Sequence, residues 1–120
     1  MRRMRIFVGA ALLFLGIAGT LPAMSATPAQ ASDIEDKIAN AKTAADHEEI
    51  AAWYDEQAKE AADKAAEHKK MEAAYRKAGG PAVKAQLPAH CDGLVKSYTA
   101  EAKEYRALAA AHRDMAKKAK

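Results

Sequence analysis

The side chains best equipped to hold a soft metal ion fall into a regular pattern. His68 and Met71 stand three residues apart, and so do His112 and Met115. On a helix that spacing sets imidazole and thioether on one face. His47 lies twenty-one residues before His68, and Cys91 lies twenty-one before His112. His90 adjoins Cys91 and is the fourth histidine. Imidazole, thioether and thiolate together form a ligand set that favours copper, Cu(I) above all, over magnesium or calcium; zinc suits the cysteine end as well.

The positions that must present these groups recur at a fixed offset. Forty-four residues separate Tyr54 from Tyr98, Lys59-Glu60 from Lys103-Glu104, His68 from His112 and Met71 from Met115. Alanine matches such as Ala58 with Ala102 carry little weight in a chain this rich in alanine, but the others do. The pattern reads as one helical unit duplicated in tandem, with repeats over 44–78 and 88–118. Both repeats start on helix-opening chemistry. Thr43 with Asp46 three residues on is a capping box before Ala44, and Pro88 suits a first helical turn.

Gly79-Gly80-Pro81 ends the first long helix at about Ala78. Residues 79–87 are expected to form a loop, and a second helix to run from Pro88 to about Lys118. Apolar and ligand-type residues step by four and three along both segments, as in a coiled-coil seam. In the first helix the seam reads His47, Ile50, Tyr54, Gln57, Ala61, Lys64, His68, Met71 and Tyr75. In the second it reads Leu87, Cys91, Leu94, Tyr98, Glu101, Tyr105, Leu108, His112 and Met115. Lys64 and Glu101 are placed to pair across it. Beside it run columns of small residues: Ala51, Ala58 and Ala65, and Val95, Ala102, Ala109 and Ala116.

A short loop makes the helices antiparallel neighbours. Counting outward from residue 81, His47 then faces His112 and Met115, and Cys91 faces His68 and Met71, with His90 beside it. Two ligand clusters are therefore expected, one at each end of the hairpin. The same residues have a plain structural reading. A histidine in a seam can be a polar core residue, and methionine fills irregular gaps.

The ends of the chain bound the rest. Arg2, Arg3 and Arg5 precede an apolar run from Ile6 to Leu21, and Ala29-Gln30-Ala31 fits a small-x-small cleavage rule. Residues 1–31 are read as a signal peptide, with a mature start at Ser32 and a periplasmic or secreted location. Residues 32–43 are read as a short helix and linker, the helix opening near Asp33 on a Ser32–Glu35 capping box. Residues 44–120 are the hairpin domain. Removing the three leader arginines from nineteen basic residues leaves sixteen against sixteen acidic ones. The near-neutral balance gives no ground for a nucleic-acid partner, nor for stable membrane insertion once the leader is gone. A core so poor in large apolar residues is thin for a monomer, which implies a homodimer completing a four-helix bundle, residues 33–42 folding across the hairpin, or docking on another envelope protein. With one cysteine, no internal disulfide can form.

Enzyme chemistry finds little support. His90, Cys91 and Asp92 are neighbours in sequence, and successive helical residues point about 100° apart, so no nucleophile–base geometry follows. Haem c attachment requires Cys-x-x-Cys-His, which is absent. From Ala44 to Met115 the chain resembles small exported bacterial helical-hairpin proteins with His-Cys at the start of the second helix and His-x-x-Met near helix ends. That resemblance implies export and the hairpin, and no activity. It is more distantly similar to small His-rich metal-binding bundles, without their dense histidine repeat. The sequence thus points to an all-α, non-enzymatic exported protein: a copper- or zinc-binding hairpin for metal buffering or stress, or a metal-free structural or interaction module of the envelope.

Overall fold

The computed structural model describes residues 28–119. The leader and most of the run before the expected cleavage site lie outside that range. Four helices follow in order: α1 over Pro28–Asn40, α2 over Ala44–Ala78, α3 over Gly80–Lys84 and α4 over Leu87–Lys118. No described residue is in a strand, and no described helix is long and apolar enough to cross a membrane. The fold is an antiparallel pair, α2 against α4, each about 50 Å long.

The start of α2 is set by local chemistry. Thr43 Oγ1 accepts the Asp46 backbone N–H at 3.1 Å, and Asp46 Oδ2 accepts those of Thr43 and Lys42 at 2.8 and 2.9 Å. These bonds favour the charged carboxylate and hold Asp46 below its ordinary range. At the other end Gly79 has φ +63°, a conformation open to glycine, and its N–H caps the Tyr75 carbonyl. Both boundaries coincide with the expected ones.

Three local expectations are corrected. Helix α1 is already helical at Pro28, the first described residue, and not only from near Asp33; Ala29-Gln30-Ala31 are strong helix formers. Cleavage after Ala31 would leave only 32–40 of it. The stretch 79–87 is not a plain loop: Gly80–Lys84 forms the short helix α3, with Pro81 in its first turn. Helix α4 opens at Leu87 rather than Pro88, after Gln86 in the left-handed region at φ +58°.

The largest correction concerns which columns form the contact. The columns expected to flank the seam are its centre. Ala51, Ala58 and Ala65 of α2 and Ala102, Ala109 and Ala116 of α4 are all buried. The second buried line is His47, Tyr54, Ala61 and His68 against Cys91, Tyr98, Tyr105 and His112, buried or half-buried throughout. Of the other expected seam residues, Ile50 is fully buried and Gln57, Tyr75 and Leu87 are half-buried, but the long apolar residues of the middle and ends turn outward. Met71, Leu94, Leu108 and Met115 are 39%, 40%, 41% and 47% exposed. Alanine wins because two helices meeting through methyl groups approach at the short end of the usual 8–10 Å separation. Leucine and methionine at the centre would hold them apart. Lys64 lies over the Tyr98 ring, 5.6 Å from its centroid, and not against Glu101, whose carboxylate bears on Tyr105.

Helix α1 folds back onto the first turns of α2. Ile34 is buried at this end, as is Ile50, and Lys37 bridges Asp33 and Glu49. The expected short N-terminal helix is thus part of the packing. It covers a small share of the hairpin, and the hairpin alone carries the candidate ligands.

Candidate metal centre

At the open end of the hairpin, away from α3, His47 in the first turn of α2 meets His112 near the end of α4. Their Nδ1 atoms are 3.1 Å apart, with ring centroids at 5.4 Å. The alanine contact brings them together: it lets the axes approach until two rings one layer beyond can touch. His112 also stacks on Tyr54, at 5.8 Å and 30°, and Tyr54 stacks on Tyr105 at 6.1 Å and 29°. The aromatic stack holds the His112 ring in place. Arg113, the next residue, pairs with Asp55 and Glu48 of α2 and ties the same end of α4 down.

The electrostatics favour a neutral ring at His112. Burial holds the His112 imidazole below the ordinary histidine range, and the His47 charge opposite adds to this. A neutral ring is the form that binds metal. Two neutral imidazoles 3.1 Å apart have two options. One Nδ1–H can donate to the other Nδ1, or both lone pairs can point at one ion. Metal–nitrogen bonds of about 2.0–2.1 Å spanning that gap subtend roughly 100° at the metal, close to a tetrahedral angle.

Met115 lies one turn beyond His112 and is among the most exposed apolar side chains. Exposure removes the gap-filling explanation for this methionine. The same holds for Met71, one turn beyond His68.

At the loop end, Cys91 is buried and free. His68 stacks on Tyr98 at 5.6 Å and 12°, and its Nδ1 is buried without a hydrogen-bond partner. His90 is exposed, although it adjoins Cys91. Among the described residues, no group of three or more His, Cys, Asp or Glu side chains could hold a metal ion. A centre at either end would therefore rest on two such side chains, with a thioether, solvent or a partner molecule completing the shell.

The Tyr54–His112 and Tyr98–His68 stacks join residues that correspond at the forty-four-residue offset. Sequence reasoning found His47 and His112 by counting around the loop. It missed Tyr54 and Tyr98 as the rings that fix the two histidines. Their place fourteen residues, about four helical turns, before the histidine of the same repeat was the available signal, read only as repetition.

Comparison with known protein families, with curated proteins and with solved structures finds no match for this chain.

Proposed function

We propose that this is an exported, non-enzymatic metal-binding protein, built by tandem duplication, that buffers copper or zinc outside the cytoplasm. One observation carries the reading. His47 and His112, from different helices, hold their Nδ1 atoms at 3.1 Å, a metal-compatible bite, and burial favours the neutral form of the His112 ring. With Met115 one turn away the donor set is two imidazoles and a thioether, which selects Cu(I) over harder ions. Zinc fits the two nitrogens with solvent in the remaining positions. Bound metal would cross-link the free ends of α2 and α4, where a hairpin frays most easily.

The test is a Cu(I) titration of the purified full chain against a competing chelator, alongside His47→Ala and His112→Ala. Tight binding that both substitutions weaken supports the reading. Micromolar or weaker binding, unchanged in the variants, overturns it. Export is tested separately by mass spectrometry of protein recovered from a secreting host, where the expected N-terminus is Ser32.

A second reading is favoured by the outward line of Met71, Leu94, Leu108 and Met115. In an antiparallel pair these columns lie on the same side of the hairpin, and Lys64 and Glu101 sit between their apolar ends. A second copy turned end for end sets each lysine near the other copy's glutamate and covers the leucines and methionines. The hairpin would then be one half of a four-helix bundle and a structural or interaction module first. Sedimentation equilibrium tests this: a dimer that Leu94→Lys and Leu108→Lys together convert to a monomer supports it, and a monomeric parent protein overturns it.

A further inference from the structure

The contacts across the hairpin define a register. His47 faces His112, and one heptad further in Tyr54 faces Tyr105. Seven more residues along α2, and seven back along α4, give Ala61 with Tyr98. The next step gives His68 with Cys91. The sequence offset leads to the same pair, since Cys91 corresponds to His47 and His68 to His112. The stacks agree as well: Tyr98 lies on His68 as Tyr54 lies on His112. Where one end of the hairpin carries two imidazoles, the other carries an imidazole and a thiol in the same layer.

His68 Nδ1 has less than 1 Å² of exposed surface and no hydrogen-bond partner. Leaving such an atom unsatisfied costs about 1–3 kcal/mol. The Tyr98 stack holds the ring in its plane, and the Lys64 ammonium against the same Tyr98 keeps that ring in place. Cys91 is 6% exposed, and continuing the register of the His47–His112 and Tyr54–Tyr105 pairs assigns it the position opposite His68. No carboxylate completes a harder site, since no group of three or more His, Cys, Asp or Glu side chains gathers among the described residues.

We propose that Cys91 Sγ and His68 Nδ1 form a second metal site that takes Cu(I), distinct in selectivity from the imidazole pair at the open end. The proposal shares with the functional reading the premise that this hairpin binds metal, but it stands on different residues. On binding, the Cys91 thiol releases its proton to solvent and the thiolate binds the ion; His68 contributes its Nδ1 lone pair; copper stays Cu(I) throughout. A thiolate and one imidazole satisfy the low coordination number and soft preference of Cu(I). Met71, one turn from His68, is the nearest thioether along the helix that could extend the shell. The two ends then divide the work: the imidazole end accepts zinc as well as copper, and the thiolate end prefers Cu(I).

The test is anaerobic loading of the full chain with Cu(I) against a competing chelator, in parent protein, Cys91→Ser, His68→Ala and His112→Ala. The parent is expected to take up two ions and to show a near-ultraviolet thiolate-to-copper charge-transfer band. Cys91→Ser should lose one ion and the whole band, while His112→Ala should lose one ion and keep the band. His68→Ala should weaken the band-forming site by more than the roughly 10–100-fold that loss of a supporting residue costs. Circular dichroism checks that each variant folds. X-ray absorption on the singly loaded His112→Ala protein reads sulfur and nitrogen scatterers directly, so the assignment stays testable if Cys91→Ser is unstable. An unchanged band and stoichiometry in Cys91→Ser, or a copper shell without sulfur, overturns the proposal. If Cys91→Ser abolishes all binding and His112→Ala none, the imidazole pair fails and this site stands.

Discussion

Adjacent residues 108 and 109 offer the sharpest test of how the hairpin is held. Ala109 has no exposed surface, whereas Leu108 is 41% exposed. Ala109→Leu inserts three carbons at a fully buried position of the contact between the two helices. Overpacking of a tight core costs about 1–3 kcal/mol, and the absence of free surface at 109 puts this variant at the upper end. Leu108→Ala removes three carbons that are already partly in water. At about 0.8 kcal/mol per fully buried methylene, and with Leu108 41% exposed, the loss is about 1.4 kcal/mol, partly offset by the better helix propensity of alanine. In a domain of this size each kcal/mol moves Tm by about 4–8 °C. Thermal melts by far-ultraviolet circular dichroism, run at low concentration so that a second copy cannot cover Leu108, should show Ala109→Leu falling well below Leu108→Ala. If Leu108→Ala proves the more damaging, the leucine column is the contact and the alanine-centred account is wrong.

Other outcomes follow from single residues. Gly93 sits inside α4 with open space where a Cβ would go, so Gly93→Ala should stabilise by about 0.8–1 kcal/mol. Gly79, at φ +63° and ψ −154°, occupies a region nearly restricted to glycine, so Gly79→Ala should cost about 1–3 kcal/mol; urea denaturation reads both. Thr43→Ala removes the acceptor for the Asp46 N–H and should cost about 1 kcal/mol, visible as a lower urea midpoint. The lowered position of His112 makes the unfolded chain the better proton binder. Stability should therefore be full above the ordinary histidine value, near 6.5, and be lost as pH falls from there to the depressed folded value. His47 across the interface, Tyr54 on its face and the Arg113–Asp55 pair are the groups that surround it. Tm measured against pH should flatten in His112→Gln, and an unchanged slope would assign the effect elsewhere.

The strongest local signals in the sequence survived intact. Thr43 with Asp46 and Gly79-Gly80-Pro81 bracket α2 because caps and glycine turns act through short-range bonds that any reader of the chain can see. The facing of His47 and His112 was also legible, since a hairpin's register follows from its turn. The rotation of the contact onto alanine was not. Periodicity weights large apolar side chains, and Leu94, Leu108, Met71 and Met115 supply most of that weight. Which column is buried depends instead on how closely two backbones approach, a property of the pair and not of either segment. His90 shows a second limit. It adjoins Cys91 in sequence, yet it is exposed while Cys91 is buried, because a helix turns neighbours about 100° apart. The turn of α3 over Gly80–Lys84 belongs to a weakly patterned stretch, where proline's tolerance of a first turn decided the local structure.

The central claim is that one metal ion joins α2 to α4 through two imidazoles. Nitrogen-15 NMR of the histidine rings, followed as Cu(I) or zinc is added, reads this atom by atom. The account predicts that the Nδ1 resonances of His47 and His112 move together and saturate at the same equivalent of metal, while exposed His90 stays still. Movement of His90 alone, or of neither member of the pair, would contradict it.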